Sequence, residues 1–193
     1  MNIAGVVLAG GRSSRYGKPK MFETYEDKYF YQYSVEALKQ NSISPIVIAT
    51  NEKLIQYFEQ GNVEFIIEEE SDEYQGPLFA MYNAFSKITD AEWFFVLASD
   101  IPFVSTEFVK KMIDKAERSH SDAIVPIYSN TLQPLFALYH RRNLIKMEQL
   151  LTENKRKLQL LLKEINLLTV PFSSNESIFT NINSPEDWDQ YKK

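Results

Sequence analysis

The sequence predicts an α/β protein of three layers, α/β/α, built on a mostly parallel sheet with helices on both faces. Two observations carry this. Short apolar runs alternate with amphipathic stretches of helical period from residue 3 to residue 126. The runs are apolar throughout rather than alternating with polar residues, as strands buried on both faces are. A third feature, a cationic Gly-rich turn directly after the first run, marks where such a sheet would meet an anion.

Residues 3–9 form the first strand and end at Gly10 and Gly11, which accept positive φ and let a ligand approach the backbone. Pro19 favours an extended Lys18, so no helix runs through the turn. Residues 30–39 read as an amphipathic helix with Phe30, Tyr31, Val35 and Leu38 on one side. Residues 46–49 are a second buried strand with Asn51 just beyond it, and 52–60 a helix stopped by Gly61. Residues 63–67 are a third strand, followed by the acidic run Glu68-Glu69-Glu70-Ser71-Asp72-Glu73 and by Gly76-Pro77. Pro77 suits the first turn of a helix over 78–88. Residues 93–98 give a fourth strand that ends on Ser99-Asp100-Ile101-Pro102, Thr106 caps a helix to about residue 118, and 123–126 are a fifth strand.

After that the rhythm changes to a small mixed C-terminal part. Tyr128 and residues 135–139 flank a turn at Ser129-Asn130-Thr131, which predicts a strand pair, with an antiparallel pairing open. Residues 144–151 and 158–165 are two short helices separated by Lys155-Arg156-Lys157, and 167–170 are a late strand. Ser184-Pro185-Glu186-Asp187 opens a final helix: serine as cap, proline in the first turn, acids at the positive end.

A chain of 193 residues fits one domain with a sizeable core, and no linker or repeat divides it. The absence of cysteine excludes a disulfide framework, a zinc–cysteine site and a cysteine nucleophile, and leans towards a reducing compartment. The N-terminus lacks a signal-peptide pattern and no stretch approaches the roughly 20 apolar residues of a membrane helix, so the expectation is a cytoplasmic protein without membrane contact. A formal net charge of -5 argues against a general nucleic-acid binder. His120 and His140 stand in no motif, and no serine lies in G-x-S-x-G, so a hydrolase triad has no support.

Against that acidic background, Arg12, Arg15, Lys18 and Lys20 follow the first strand with no acid before Glu23. Such a turn holds an anion, and nucleotide phosphate is the first candidate. It is neither of two common phosphate loops. Gly10, Gly11 and Gly17 do not fit G-x-G-x-x-G, and Gly11 and Gly17 are one residue too far apart for G-x-x-x-x-G-K-[ST], with Pro19 in place of the hydroxyl.

The turn does match a third pattern. Leu8-Ala9-Gly10-Gly11-x-Ser13-x-Arg15-Tyr16-Gly17-x-x-Lys20 resembles L-A-G-G-x-S-x-R-M-G-x-x-K, the signature of the MobA-type nucleotidyltransferases, with Tyr16 in place of methionine. Gly76-Pro77-Leu78, Ser99-Asp100-Ile101-Pro102, Gln133-Pro134-Leu135-Phe136-Ala137 and Phe179-x-Asn181-x-Asn183-Ser184-Pro185-Glu186-Asp187 resemble the family's later motifs, so the likeness runs along most of the chain. Ala80 departs from a usual glycine.

The resemblance implies a Rossmann-like nucleotidyltransferase sheet, with a nucleotide-binding half over about residues 1–126 and an acceptor-side half over about 127–193. It implies transfer of GMP from GTP to the terminal phosphate of molybdopterin or Mo-molybdopterin, dependent on Mg2+, with pyrophosphate released. Lys20, Asp100 and Arg15 would carry the chemistry, and Asp100 would hold the metal. Leu8, Ala9, Gly10, Gly11, Lys20, Asn51, Gly76 and Asp100 would bind the nucleotide, with Glu69 as the nucleotide-side acid by spacing and Asp72 as its alternative. Asn181, Asn183 and Arg156 would meet the acceptor, while Arg12 and Lys18 are supporting or solvated charges. Other cofactor-biosynthesis or molybdoenzyme-maturation proteins are candidate partners. The rival expectations are a relative that uses CTP or another nucleotide, and a nucleotide-binding accessory protein without turnover.

Overall fold

The computed structural model describes residues 1–10, 19–59, 61–68, 75–173, 177–180, 182, 188–189 and 191. Its early strands are β1 (Ile3–Leu8), β2 (Thr24–Tyr25), β3 (Lys28–Tyr29), β4 (Ile46–Asn51), β5 (Glu64–Glu68) and β6 (Trp93–Ala98). The later ones are β7 (Ala123–Tyr128), β8 (Thr131–Leu132), β9 (Phe136–His140) and β10 (Leu167–Pro171). Between them lie helices α1 (Phe30–Gln40), α2 (Glu52–Ile55), α3 (Gly76–Lys87), α4 (Thr106–Glu117), α5 (Asn143–Thr152) and α6 (Leu158–Glu164).

The main sheet runs β10-β7-β9-β6-β1-β4-β5, with β8 paired to β7. β1 pairs in parallel with β4 on one side and β6 on the other, and β5 continues in parallel beyond β4. The chain therefore builds outward from β1 through β4 to β5, then returns to the opposite side of β1 as β6. That reversal opens a crevice beyond the carboxyl ends of β1 and β6, the place where open α/β sheets bind ligands.

Side chains alternate across each strand, so each helical layer meets its own set. Ile3, Val7, Ile48, Phe95 and Leu97 pack with Leu38 of α1 and with Val109 and Met112 of α4. Ala4, Val6, Val47, Phe94 and Val96 pack with Leu78, Met81 and Phe85 of α3, Met147 of α5 and Leu161 of α6. The sheet is buried on both faces, which is why its strands read as continuous apolar runs.

Two expectations are corrected, and one hairpin is added. The second helix stops at Ile55 instead of reaching residue 60, because Phe58 turns inward and packs 4.8 Å from both Phe22 and Tyr31 by ring centroid. The cap of α4 is Ser105, whose Oγ accepts from the amide of Phe108 at 3.2 Å; Thr106 is the first helical residue. The β2–β3 hairpin was not legible at all. Its turn places Glu26 and Asp27 at φ 45 and 65, a conformation usually signalled by Gly or Asn. The strand pair expected after residue 126 is real and antiparallel: β9 runs antiparallel to both β6 and β7. The opening of the final helix at Ser184 lies outside the described residues.

Gly5 shows how tightly α1 sits on β1. A Cβ there would come 2.8 Å from Leu38 Cδ1 and 3.4 Å from side-chain atoms of Ile43 and Ile46. Leu38 is fully buried, so it has little room to yield. Gly5→Ala is expected to destabilise the fold by about 1–3 kcal/mol through overpacking, read as a lower urea midpoint at unchanged slope.

Candidate active site

The turn after β1 is clamped by its neighbours before it reaches the glycines. The Leu8 carbonyl accepts from the amide of Ser99 at 3.1 Å, tying β1 to the end of β6. The Ala9 amide donates to the Ala49 carbonyl at 2.8 Å, and the Ala9 carbonyl accepts from Thr50 Oγ1 at 3.2 Å. Gly10 therefore leaves the sheet from a fixed point between β4 and β6.

The end of β6 is held just as firmly. The buried hydroxyl of Ser34, on α1, donates to the Ala98 carbonyl at 2.9 Å, and the Ala98 amide donates to the Leu135 carbonyl at 3.0 Å. Asp100 follows directly, beyond the carboxyl end of the strand.

Lys20 comes to Asp100 from the far side of the turn. It opens a short 3-10 helix, Lys20–Phe22, after an extended Pro19. Met21 is buried, and Phe22 lies among the rings of Tyr29, Tyr31, Tyr57 and Phe58. With those two side chains fixed, Lys20 Nζ lies 2.8 Å from Asp100 Oδ2 and donates to the Ile182 carbonyl at 2.9 Å. The lysine side chain is 15% exposed and the aspartate 35%, so the pair sits at the mouth of the crevice and remains reachable.

A second acid faces the same turn. Glu68 ends β5, opposite Asn51 at the end of β4. Its carboxylate oxygens lie 3.5 and 3.6 Å from where a Cβ on Gly10 would stand. Glycine at position 10 leaves the space in front of this carboxylate open. Partial burial raises the Glu68 pKa above the usual carboxylate range, and Lys87 opposes the shift. Glu69 and Asp72, the acids expected on the nucleotide side, lie outside the described residues, and Glu68 is the neighbouring acid that strand register places opposite Asn51.

Asn51 is at the mouth, with its side-chain oxygen engaged. Oδ1 accepts from the amides of Lys53 and Leu54 at 3.1 Å each, capping α2. Gly76 begins α3 at φ +79, where an L side chain is strained, and its missing Cβ would lie 3.5 Å from the Arg156 carbonyl. Arg156, expected on the acceptor side, thus lies beside a residue expected on the nucleotide side. Its Nε donates to Asn154 Oδ1 at 2.9 Å, while Nη1 is buried with no hydrogen-bond partner among the described residues. Gly11, Arg12, Arg15, Lys18, Asn181 and Asn183 lie outside the described residues.

Asp100 suits a hard divalent cation that keeps several of its waters and shares phosphate oxygens. Among the described residues no three His, Asp or Glu side chains gather as a metal cluster. Among them, too, no helix is long and apolar enough to cross a membrane.

The mostly parallel sheet order with helices on both faces is that of the nucleotidyltransferase class of α/β fold. The crystal structure of molybdopterin-guanine dinucleotide biosynthesis protein A from Archaeoglobus fulgidus shares the architecture: TM-score 0.76 and 24% identity, covering 97% of this chain and 95% of that one. The MobA-like NTP transferase domain model matches residues 5–168, and the chain belongs to that family. A relative from Geobacillus sp. strain WCH70, named a probable molybdenum cofactor guanylyltransferase, is 36% identical over 191 residues, 97% of this chain and 96% of the relative. One from Halalkalibacterium halodurans, with the same name, is 32% identical over 193 residues, 97% of this chain and 96% of the relative. The protein is a nucleotidyltransferase.

The raised pKa of Glu68 has a consequence for stability. A carboxyl that binds its proton more tightly when folded stabilises the fold below the unfolded pKa, and that contribution is lost as pH rises through the folded pKa. At neutral pH the ionised Glu68 therefore weakens the fold. Glu68→Gln should raise the melting temperature at pH 7, with the advantage over wild type shrinking towards pH 4 in a calorimetric series.

Proposed function

We propose that the protein transfers GMP from GTP to the terminal phosphate of molybdopterin, with or without molybdenum, in a reaction dependent on Mg2+. The observation that carries this reading is the Lys20–Asp100 pair at the carboxyl ends of β1 and β6, in a chain of the MobA-like family whose relatives carry the guanylyltransferase name.

The chemistry is in-line displacement at phosphorus. An acceptor phosphate oxygen forms a bond to the α-phosphorus of GTP, the bond from that phosphorus to the bridging oxygen breaks, and pyrophosphate leaves with the electron pair. Two anions must be brought together, and the leaving group gathers more charge as it departs. The protein's task is positioning and electrostatic stabilisation. No general base is required, because a phosphate monoester is mostly ionised near neutral pH.

In this reading the backbone from Leu8 to Gly10 receives the nucleotide, its path fixed by the Ser99, Ala49 and Thr50 hydrogen bonds. Lys20 neutralises phosphate charge, and its pairing with Asp100 keeps it directed at the mouth. Asp100 would hold Mg2+, which when bound offsets charge on the phosphate oxygens. Glu68 takes the role of nucleotide-side acid at the rim and Asn51 stands beside it; the expected roles of Gly11, Arg15, Asn181 and Asn183 complete the set. Gly76 admits the backbone bend that starts α3 at the same rim.

The test is turnover with purified protein, Mg2+, molybdopterin and each labelled nucleoside triphosphate. GTP should be consumed with release of pyrophosphate and formation of a guanine dinucleotide. Preference for CTP, or binding without turnover, would overturn the assignment. Lys20→Ala and Asp100→Asn should each lower kcat by about 10²–10³, the usual loss on removing one preorganised electrostatic group.

A further inference from the structure

Lys20 owes its geometry to more than Asp100. Its ammonium also donates to the Ile182 carbonyl, from the far end of the chain. A lysine ammonium is a point charge on a flexible four-carbon stem, so its position depends on acceptors that do not move. Ile182 meets that condition: it is 2% exposed, in a small cluster with Phe30 and Trp188.

Trp188 is the centre of that cluster. It is fully buried, with ring centroids 4.7 Å from Phe30, 5.5 Å from Tyr25, 6.3 Å from Phe103 and 6.2 Å from Tyr191. The walls come from separate parts of the site. Tyr25 belongs to the β2–β3 hairpin that follows Lys20, Phe30 begins α1, and Phe103 lies on the loop that follows Asp100. Tyr25 also packs on Phe103 directly, at 5.4 Å, and accepts at its carbonyl from the Tyr33 hydroxyl. The indole therefore fills the space that the Lys20 segment, the Asp100 segment and Ile182 share. Its Nε1 is buried with no hydrogen-bond partner among the described residues, and among them the ring is held by its shape and apolar area.

We propose that Trp188 is a positioning residue for nucleotidyl transfer: it fixes the Ile182 carbonyl, and through it the direction of the Lys20 ammonium relative to Asp100. Trimming the indole leaves a cavity beside Ile182, into which that residue relaxes, and the carbonyl moves with it. Lys20 keeps its charge but loses one of its anchors. Misplacement of about 1 Å at a catalytic group costs up to about 10²-fold in rate. The two residues flanking Ile182 in sequence are Asn181 and Asn183, the pair expected to meet the acceptor. This inference rests on the guanylyl-transfer reading.

The experiment is a double-mutant cycle on the full chain, with melting temperatures measured beside kcat and KM for GTP, below the unfolding range of every variant. Trp188→Leu should lower kcat by about 10-fold to 10²-fold. Trp188→Phe keeps an aromatic ring in the box and should restore most of the rate. In a Lys20→Met chain there is no ammonium for the carbonyl to orient. There Trp188→Leu should change the residual single-turnover rate by less than about twofold, the scatter of independent effects. Equal proportional losses in the two backgrounds, or full activity of Trp188→Leu, would overturn the inference. Failure of wild type to use GTP would instead overturn the reading beneath it, so the two outcomes are distinct.

Discussion

The arrangement that the rest of the site depends on is the ammonium of Lys20 held between the Asp100 carboxylate and the Ile182 carbonyl. As a source of stability it is minor. A partly exposed ion pair contributes about 0–1 kcal/mol, and this one lies at a crevice mouth. Its significance is geometric. Each partner arrives from a different part of the chain, and each has its own anchorage: Lys20 through Met21 and Phe22, Asp100 through the Ser34, Leu8 and Leu135 bonds to the two residues before it, Ile182 through the aromatic cluster. The core holds those anchors, and the pair makes use of them.

Glu68 is the counterpart of that pair. Lys20 and Asp100 offset one another, whereas Glu68 is partly desolvated, its pKa raised, and its carboxylate turned to the space left by Gly10. A chain selected for stability alone would place an amide or an apolar group at the end of β5. A desolvated carboxylate at the mouth of a crevice is the kind of feature that function retains at some cost to the fold.

Sequence reasoning read the fold well where burial is symmetric. β6 was legible to the residue, and β1 and β4 nearly so, because strands covered on both faces leave continuous apolar runs. It failed where long-range packing overrides local pattern. The helix after Asn51 is cut short by the inward turn of Phe58, and the β2–β3 hairpin uses residues that do not announce positive φ. Within the site, Lys20 and Asp100 were legible because each stands in a local motif. Glu68 faces Gly10 through strand register, which spacing to Gly76-Pro77 does not encode. The placement of Arg156 beside Gly76 and the use of the Ile182 carbonyl are contacts between distant segments, and a backbone acceptor leaves no trace in side-chain identity.

The single antiparallel strand of the sheet's central run completes the logic of the site. Had β9 run parallel to β6, its amino end would lie at the foot of the sheet, away from the crevice. Running antiparallel, with Phe136 opposite Leu97, it begins at the rim. Gln133, Pro134 and Leu135 are thereby brought to the end where β1 and β6 finish, and the Leu135 carbonyl takes the Ala98 amide just before Asp100. The turn through Ser129 and Asn130 between β7 and β8 falls at that rim as well, because β7 runs with β6 and against β9. Parallel strands alone would give one set of loops there, those that follow the early strands. The reversal of β9 adds a second set from the later part of the chain, on the β6 side of the same crevice. The direction of β9 thus brings loops from both parts of the chain to one rim, where a transferase, which must hold two substrates together, can use both.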